Sequence, residues 1–170
     1  MATPKIHILS IDDCEIDISA IRQQLDDTMT DAFEIFHLKE LSGSLDILRN
    51  KKVRVDVILL DLGLIDARTP KEIFKTVEAA INSIPIIVIT GKEEHELALF
   101  VINGGAADNL HRGDFAEPYS KLKDAITFSL ARCALLKEAR TNRDNAIEIK
   151  NQLMSYVSGA YSGNKTSKPD

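Results

Sequence analysis

Three aspartates, a threonine and an arginine stand at the ends of four short runs in this chain. Ile6–Ile11 leads into Asp12-Asp13, Val57–Leu60 into Asp61, Pro85–Ile89 into Thr90-Gly91, and Ala106–His111 into Arg112-Gly113. Three carboxylates, a hydroxyl and a fixed cation form a donor set suited to a hard divalent metal and a phosphoryl group. Singly, each residue has a commoner reading. An aspartate ahead of a helix caps it, a loop acid is merely solvated, and Arg112 could pair with the acids as a structural ion pair. Only a fold that gathers all five makes them a site.

The intervening pattern describes such a fold. Short apolar runs separated by segments of helical period read as buried parallel strands. The spacing predicts strands over 5–11, 33–38, 55–60, 84–90 and 106–111. The first helix has its apolar face at Ile18, Ile21 and Leu25, with Asp13 positioned to cap it. The second uses Leu41, Leu45 and Leu48 and is weakened by Gly43. The third opens at Thr69-Pro70 and buries Ile73, Val77 and Ile81. The fourth spans about 93–102 and stops at Asn103-Gly104-Gly105. The fifth starts at Asp114 or Glu117. Five strands alternating with helices predict a doubly wound α/β domain with helices on both faces of a parallel sheet. Ligands of such sheets bind outside the carboxyl ends of the strands, where all four runs end.

The fifth helical pattern outlasts the domain. Leu122, Ile126, Leu130 and Cys133 can pack on the sheet, and 137–145 is then strongly polar. Ala146, Ile149, Leu153, Tyr156 and Val157 resume at helical spacing, and neither glycine nor proline interrupts 119–158. The expected organisation is a domain over 1–134, a helical extension over 135–158 and a flexible tail over 159–170. The extension's apolar side is read as a symmetric dimer surface. The alternative is packing back on the same chain across a turn near 142–145.

Bulk properties narrow the function. A chain of 170 residues with 44% hydrophobic content holds one core. Its net charge of -5 disfavours nonspecific binding to nucleic acid or anionic membranes. No run has the length of a membrane span and the N-terminus lacks a signal pattern, so a cytoplasmic protein is expected. Cys14 and Cys133 are too few for a disulfide framework or a zinc site. His7, His37, His95 and His111 have no metal-ligand spacing.

The ordered set Asp12-Asp13, Asp61, Thr90-Gly91 and Gly105-Ala106-Ala107-Asp108 before Arg112 resembles the receiver domains of two-component response regulators. The likeness covers residues 5 to about 131, and Val57–Leu64 is particularly close to the family's phosphorylation segment. The resemblance implies a flavodoxin-like sheet of order 2-1-3-4-5 and a phosphorelay function. Asp61 would be the phosphoacceptor, receiving its phosphoryl group from a histidine kinase or phosphotransfer protein. Asp12, Asp13, Asp61 and the backbone carbonyl of Gly63 would hold Mg²⁺, with Asp13 favoured over Asp12 as direct ligand. Thr90 and Arg112 would bind the phosphoryl group, and output would pass to a downstream protein through surface contacts. Three positions depart from the family. Arg112 stands where lysine is usual, Gly113 follows it where proline is common, and Asn109 stands where the switch aromatic is usual, so the threonine–aromatic switch cannot run in its ordinary form.

Two competing functions follow. A degenerate pseudo-receiver would act as a phosphorylation-independent interaction module, with Arg112 locking the pocket. A metal-dependent phosphatase would carry Asp-x-Asp after its first strand, which Asp12-Asp13-Cys14 does not match. The chain is therefore expected to accept a phosphoryl group without being an enzyme in its own right.

Overall fold

The computed structural model describes residues 5–29, 32–50, 53–66, 69–81, 83–91, 94–113 and 121–162, with side chains to residue 158. Ten elements alternate: β1 (Ile6–Ile11), α1 (Glu15–Met29), β2 (Phe33–Leu38), α2 (Leu41–Asn50), β3 (Val57–Asp61), α3 (Pro70–Ala80), β4 (Ile86–Thr90), α4 (His95–Asn103), β5 (Asp108–His111) and α5 (Lys121–Ser162). The five strands form one sheet in the order β2-β1-β3-β4-β5, and each pair is parallel. This is the flavodoxin-like order. Its connections reverse direction between β1 and β3, which opens a crevice at their carboxyl ends.

Every residue of β3 and β4 is buried, as continuous apolar runs with helices on both faces require. Alternation along the strands divides the core in two. Leu9, Ile11, Ile58, Leu60 and Val88 meet Ile73, Phe74, Val77 and Val101 on one face. Ile8, Val57, Leu59, Ile87 and Ile89 meet Ile18, Ile21, Leu25, Leu122 and Ile126 on the other. Ser44 takes a fully buried position in α2, while Leu45 packs at that core's edge.

Local signals fix the helix ends near the crevice. Thr69 Oγ1 accepts from Glu72 N at 3.2 Å, and Pro70 fills the first turn of α3. The first turn of α2 is held from a distance, with Leu41 N donating to Asp66 Oδ2 at 2.9 Å. Gly104 closes α4, and a Cβ there would lie 2.6 Å from Phe74 Cε1. Gly105 follows at φ 101°, a conformation that strongly favours glycine.

The expected elements recur with shifted edges. β3, β4 and β5 begin two residues late, at Val57, Ile86 and Asp108. The anticipated starts of α5 at Asp114 or Glu117 lie outside the described residues. α5 reaches Ser162, four residues beyond the expected end at 158, and runs unbroken through 142–145. That continuity excludes the fold-back turn there. The chain divides into two compact units, Met1–Cys133 and Ala134–Asp170. No helix among the described residues is long and apolar enough to cross a membrane.

Candidate functional site

The carboxyl ends of β1, β3 and β5 bring Asp12, Asp13, Asp61 and Arg112 together, while Thr90 meets His111 instead. Asp12, Asp13 and Asp61 each direct a carboxylate oxygen to a common point, all within 4.8 Å of one another. Asp12 is fully buried and Asp61 is 3% exposed. Arg112 Nη2 lies 2.6 Å from Asp61 Oδ1. Thr90, also buried, ends the neighbouring strand β4. Asp61, Gly63, Pro70, Gly91, Glu94 and Arg112 border a cavity of about 190 Å³ beside the cluster.

The two buried carboxylates are only half satisfied. Asp12 Oδ1 accepts from Cys14 N at 2.8 Å, and Asp61 Oδ1 receives Arg112. The other oxygen of each, Asp12 Oδ2 and Asp61 Oδ2, is buried without a hydrogen-bond partner. Such atoms are costly unless something charged or polar meets them. The Asp12 carboxyl is accordingly pushed up to about 6. Burial is the main cause; Asp61 and Asp17 add to it, while the Cys14 N–H and Arg112 oppose it. For Arg112, burial lowers its pKa, but Asp61, then Asp17 and Asp12, outweigh that and raise it overall.

Mg²⁺ fits this donor set. It takes hard oxygen ligands and needs few from the protein, and two unpartnered buried carboxylate oxygens beside Asp13 offer them. Gly63 is suited to its place, because a Cβ there would sit 3.2 Å from Asp61 Oδ2. Any larger residue would crowd the orphaned oxygen.

Neither Asp12 nor Asp13 accepts from an N–H of the first turn of α1 among the described hydrogen bonds, so the capping expected of Asp13 is not seen. Asp12 takes the Cys14 N–H, while Asp13 Oδ2 accepts from Ile65 N at 3.3 Å and so ties the loop after β3 to the cluster. A residue absent from the sequence reading also belongs here. Asp17, one turn into α1, places Oδ2 3.2 Å from Arg112 Nε. The guanidinium thus bridges a carboxylate of the sheet and one of the helix. The only sequence signal for Asp17 was its four-residue distance from Asp13, one helical turn.

Asn109 and His111 stand two residues apart on β5 and so share a face of it. Asn109 has a buried amide oxygen without a hydrogen-bond partner. His111 pairs in register with Thr90. Its Nδ1 lies 3.4 Å from Thr90 Oγ1 and 3.3 Å from the Gly91 carbonyl. The threonine hydroxyl therefore adjoins an imidazole at position 111, two residues beyond Asn109, the position of the family's usual switch aromatic.

Residues 8–115 match the family model described as response regulator receiver domain. Among solved structures, the signal receiver domain of a putative LuxO repressor protein from Vibrio parahaemolyticus is similar at 22% identity and TM-score 0.60, covering 79% of this chain and 97% of that one. A response regulator receiver domain protein from Clostridium thermocellum aligns at 22% identity and TM-score 0.62, over 77% of this chain and 98% of that one. The Mn²⁺-bound form of response regulator Rcp1 aligns at 21% identity and TM-score 0.55, over 75% of this chain and 91% of that one. No curated protein matches the chain.

Proposed function

The chain belongs to the response regulator receiver domain family of two-component systems, and from that premise we propose that it is a working phosphoacceptor whose nucleophile is Asp61. The observation that carries this reading is the half-satisfied Asp61. One oxygen is held by Arg112, and the other is buried, unpartnered and gathered with Asp12 and Asp13.

Asp61 attacks the phosphorus of a phosphohistidine donated by a histidine kinase or phosphotransfer protein. The new bond is an acyl phosphate, and the donor's imidazole leaves. Asp12, Asp13, Asp61 and the Gly63 carbonyl would hold Mg²⁺, which when bound supplies positive charge against the phosphoryl oxygens. Asp12 must be ionised to serve. Arg112 keeps its guanidinium beside Asp61 and takes the phosphoryl oxygens as they arrive. Asp17 holds the far side of that guanidinium, so the cation stays over the pocket when it leaves Asp61. Thr90 donates its hydroxyl to a phosphoryl oxygen, moving away from His111 and altering the α4–β5 surface that a downstream protein reads. A second copy of the chain is a further partner. The chain has no turnover of its own beyond slow loss of the phosphoryl group, and it works in the cytoplasm.

The Arg112–Asp61 ion pair favours one second reading, a pseudo-receiver whose arginine permanently stands in for the metal. One experiment separates the two. The chain is incubated with acetyl phosphate or phosphoramidate and Mg²⁺, and intact mass is measured. The phosphoacceptor gains one phosphoryl group, and Asp61→Asn gains none. Absence of any Mg²⁺-dependent gain in the wild-type chain establishes the pseudo-receiver, and unchanged gain in Asp61→Asn moves the acceptor elsewhere.

A further inference from the structure

From Ala134 to Ser158 every side chain of α5 is exposed, including large apolar ones: Leu135 is 66% exposed, Ile149 57%, Leu153 60% and Tyr156 76%. Such a contiguous patch calls for a covering partner. Its spacing identifies one. Leu135, Ala139, Asn142, Ala146, Ile149, Leu153 and Tyr156 follow one another at alternating intervals of four and three. That is the 3.5-residue period of a helix–helix seam, and it differs from the 3.6 period of a face packed on a sheet. Residues 135, 142, 149 and 156 take the d positions, and 139, 146 and 153 take a.

We infer that this stretch of α5 pairs with the same stretch of a second copy of this chain, parallel and in register, as a two-stranded coiled coil with Asn142 inside its seam. This deepens the second-copy reading above. It does not depend on Asp61 accepting a phosphoryl group, so assembly and labelling fail separately.

Charge sets the direction. The positions flanking the seam are Glu138, Asn145 and Gln152 at g and Leu136, Arg143, Lys150 and Val157 at e. A parallel pair sets each g against the partner's following e, which places Glu138 opposite Arg143 of the second copy, twice by symmetry. An antiparallel pair would set e against e and bring Arg143 and Lys150 of the two copies together. Arg143 is free to turn: its contact with Asp144 is exposed, at 3.4 Å.

Side-chain size sets the number of strands. Ala139 and Ala146 let two helices approach closely, whereas three would enclose an unfilled space at those layers. Asn142 satisfies itself against its counterpart only when the copies are in register, the known use of a lone polar seam residue. Ile147 and Met154 lie at the b positions and stay outside the seam.

The test uses the full chain. Sedimentation over a wide concentration range should give a dimer, and Leu153→Asp should weaken it at least about tenfold. The latter substitution sits on an exposed position, so thermal unfolding of the sheet domain should not move. Direction is read by cross-linking in a chain carrying Cys14→Ala and Cys133→Ser. Ile149→Cys should oxidise to an interchain disulfide. A mixture of Leu135→Cys and Tyr156→Cys chains should give only 135–135 and 156–156 links. A monomer at every concentration, a trimer, or a 135–156 link between chains would each overturn the proposal.

Discussion

Asp56, part-buried, and Asp12, fully buried, sit at opposite ends of the same sheet and are treated in opposite ways. Asp56, just before β3, is surrounded by donors. The His7 N–H reaches its Oδ2 at 2.9 Å, the His7 ring nitrogen lies 3.0 Å from the same atom, and Arg54 Nε lies 3.0 Å from Oδ1. Burial alone would raise its pKa, but those partners outweigh it and hold the carboxyl below its ordinary range. Asp12, just after β1, has a single N–H and one orphaned oxygen, and its pKa rises to about 6. The first arrangement satisfies a charge for the sake of the fold. The second leaves a charge unsatisfied, and the fold tolerates it because a cation can complete it.

The comparison is broken most forcefully at the ligands. Asp13→Asn should weaken Mg²⁺ binding by on the order of 100-fold, and Thr90→Ala by less than about 3-fold, since only the carboxylate can be a ligand. Asp56→Asn should leave Mg²⁺ binding and labelling untouched while lowering stability by about 1–3 kcal/mol. Calorimetric titration and denaturant melts of the three variants check this. Loss of Mg²⁺ binding in Asp56→Asn would erase the distinction between the two ends.

Acidity sharpens the comparison next. The folded pKa of Asp12 is raised, so the folded protein binds the extra proton between about pH 4 and pH 6. The stabilisation this gives is complete below about pH 4 and is lost as pH rises through about 6, an effect of at most ~3 kcal/mol. Asp56 has the opposite sign, contributing stability at high pH that is lost in acid. The Asp12 contribution is therefore read as the difference between wild type and Asp12→Asn in melts from pH 4 to 7 without metal. Saturating Mg²⁺ should cancel it above pH 6, where the ionised carboxylate is stabilised by binding. A flat difference across that range would show that Asp12 is not strained by burial.

The smallest effects concern the cation. Arg112→Ala should shorten the phosphoryl half-life about 10-fold, one charge-assisted contact's worth, while Arg112→Lys should leave labelling intact or faster. Asp17→Asn should change the half-life about 3-fold in the wild-type chain and not at all in Arg112→Ala, because Asp17 acts only through the guanidinium. Additive losses in the double variant would remove Asp17 from the site.

The sequence disclosed what the sheet dictates. Buried parallel strands write themselves as continuous apolar runs, so the strand ends, and with them Asp12, Asp13, Asp61, Thr90 and Arg112, could be read before any coordinates. It disclosed less where a helix or a loop supplies the contact. Beyond its one turn from Asp13, nothing in the spacing sets Asp17 apart from the other charges of α1, and only the approach of α1 to the end of β5 brings it to Arg112. Asp66 gave no sign of holding the first turn of α2, since its partner lies 25 residues away. The division of labour between Asp12 and Asp13 depends on which of two adjacent carboxylates faces the Cys14 N–H, and sequence spacing cannot distinguish them. β5 is shorter than the run that predicts it, because Ala107 still donates to the Ile86 carbonyl but the paired register with β4 begins only at Asp108.

The resting contact between Arg112 and Asp61 bears on when the nucleophile is available. Under the proposed function, the metal meets the open Oδ2 of Asp61 while the guanidinium sits on Oδ1, so two like charges share one carboxylate and metal binding is weaker than it would be with Arg112 turned away. A small phosphodonor then reacts with the fraction of molecules whose Asp61 is uncovered, and labelling by it is slow. A kinase that docks and draws the arginine away raises that fraction for the duration of the encounter, which ties the readiness of the acceptor to the presence of the correct donor.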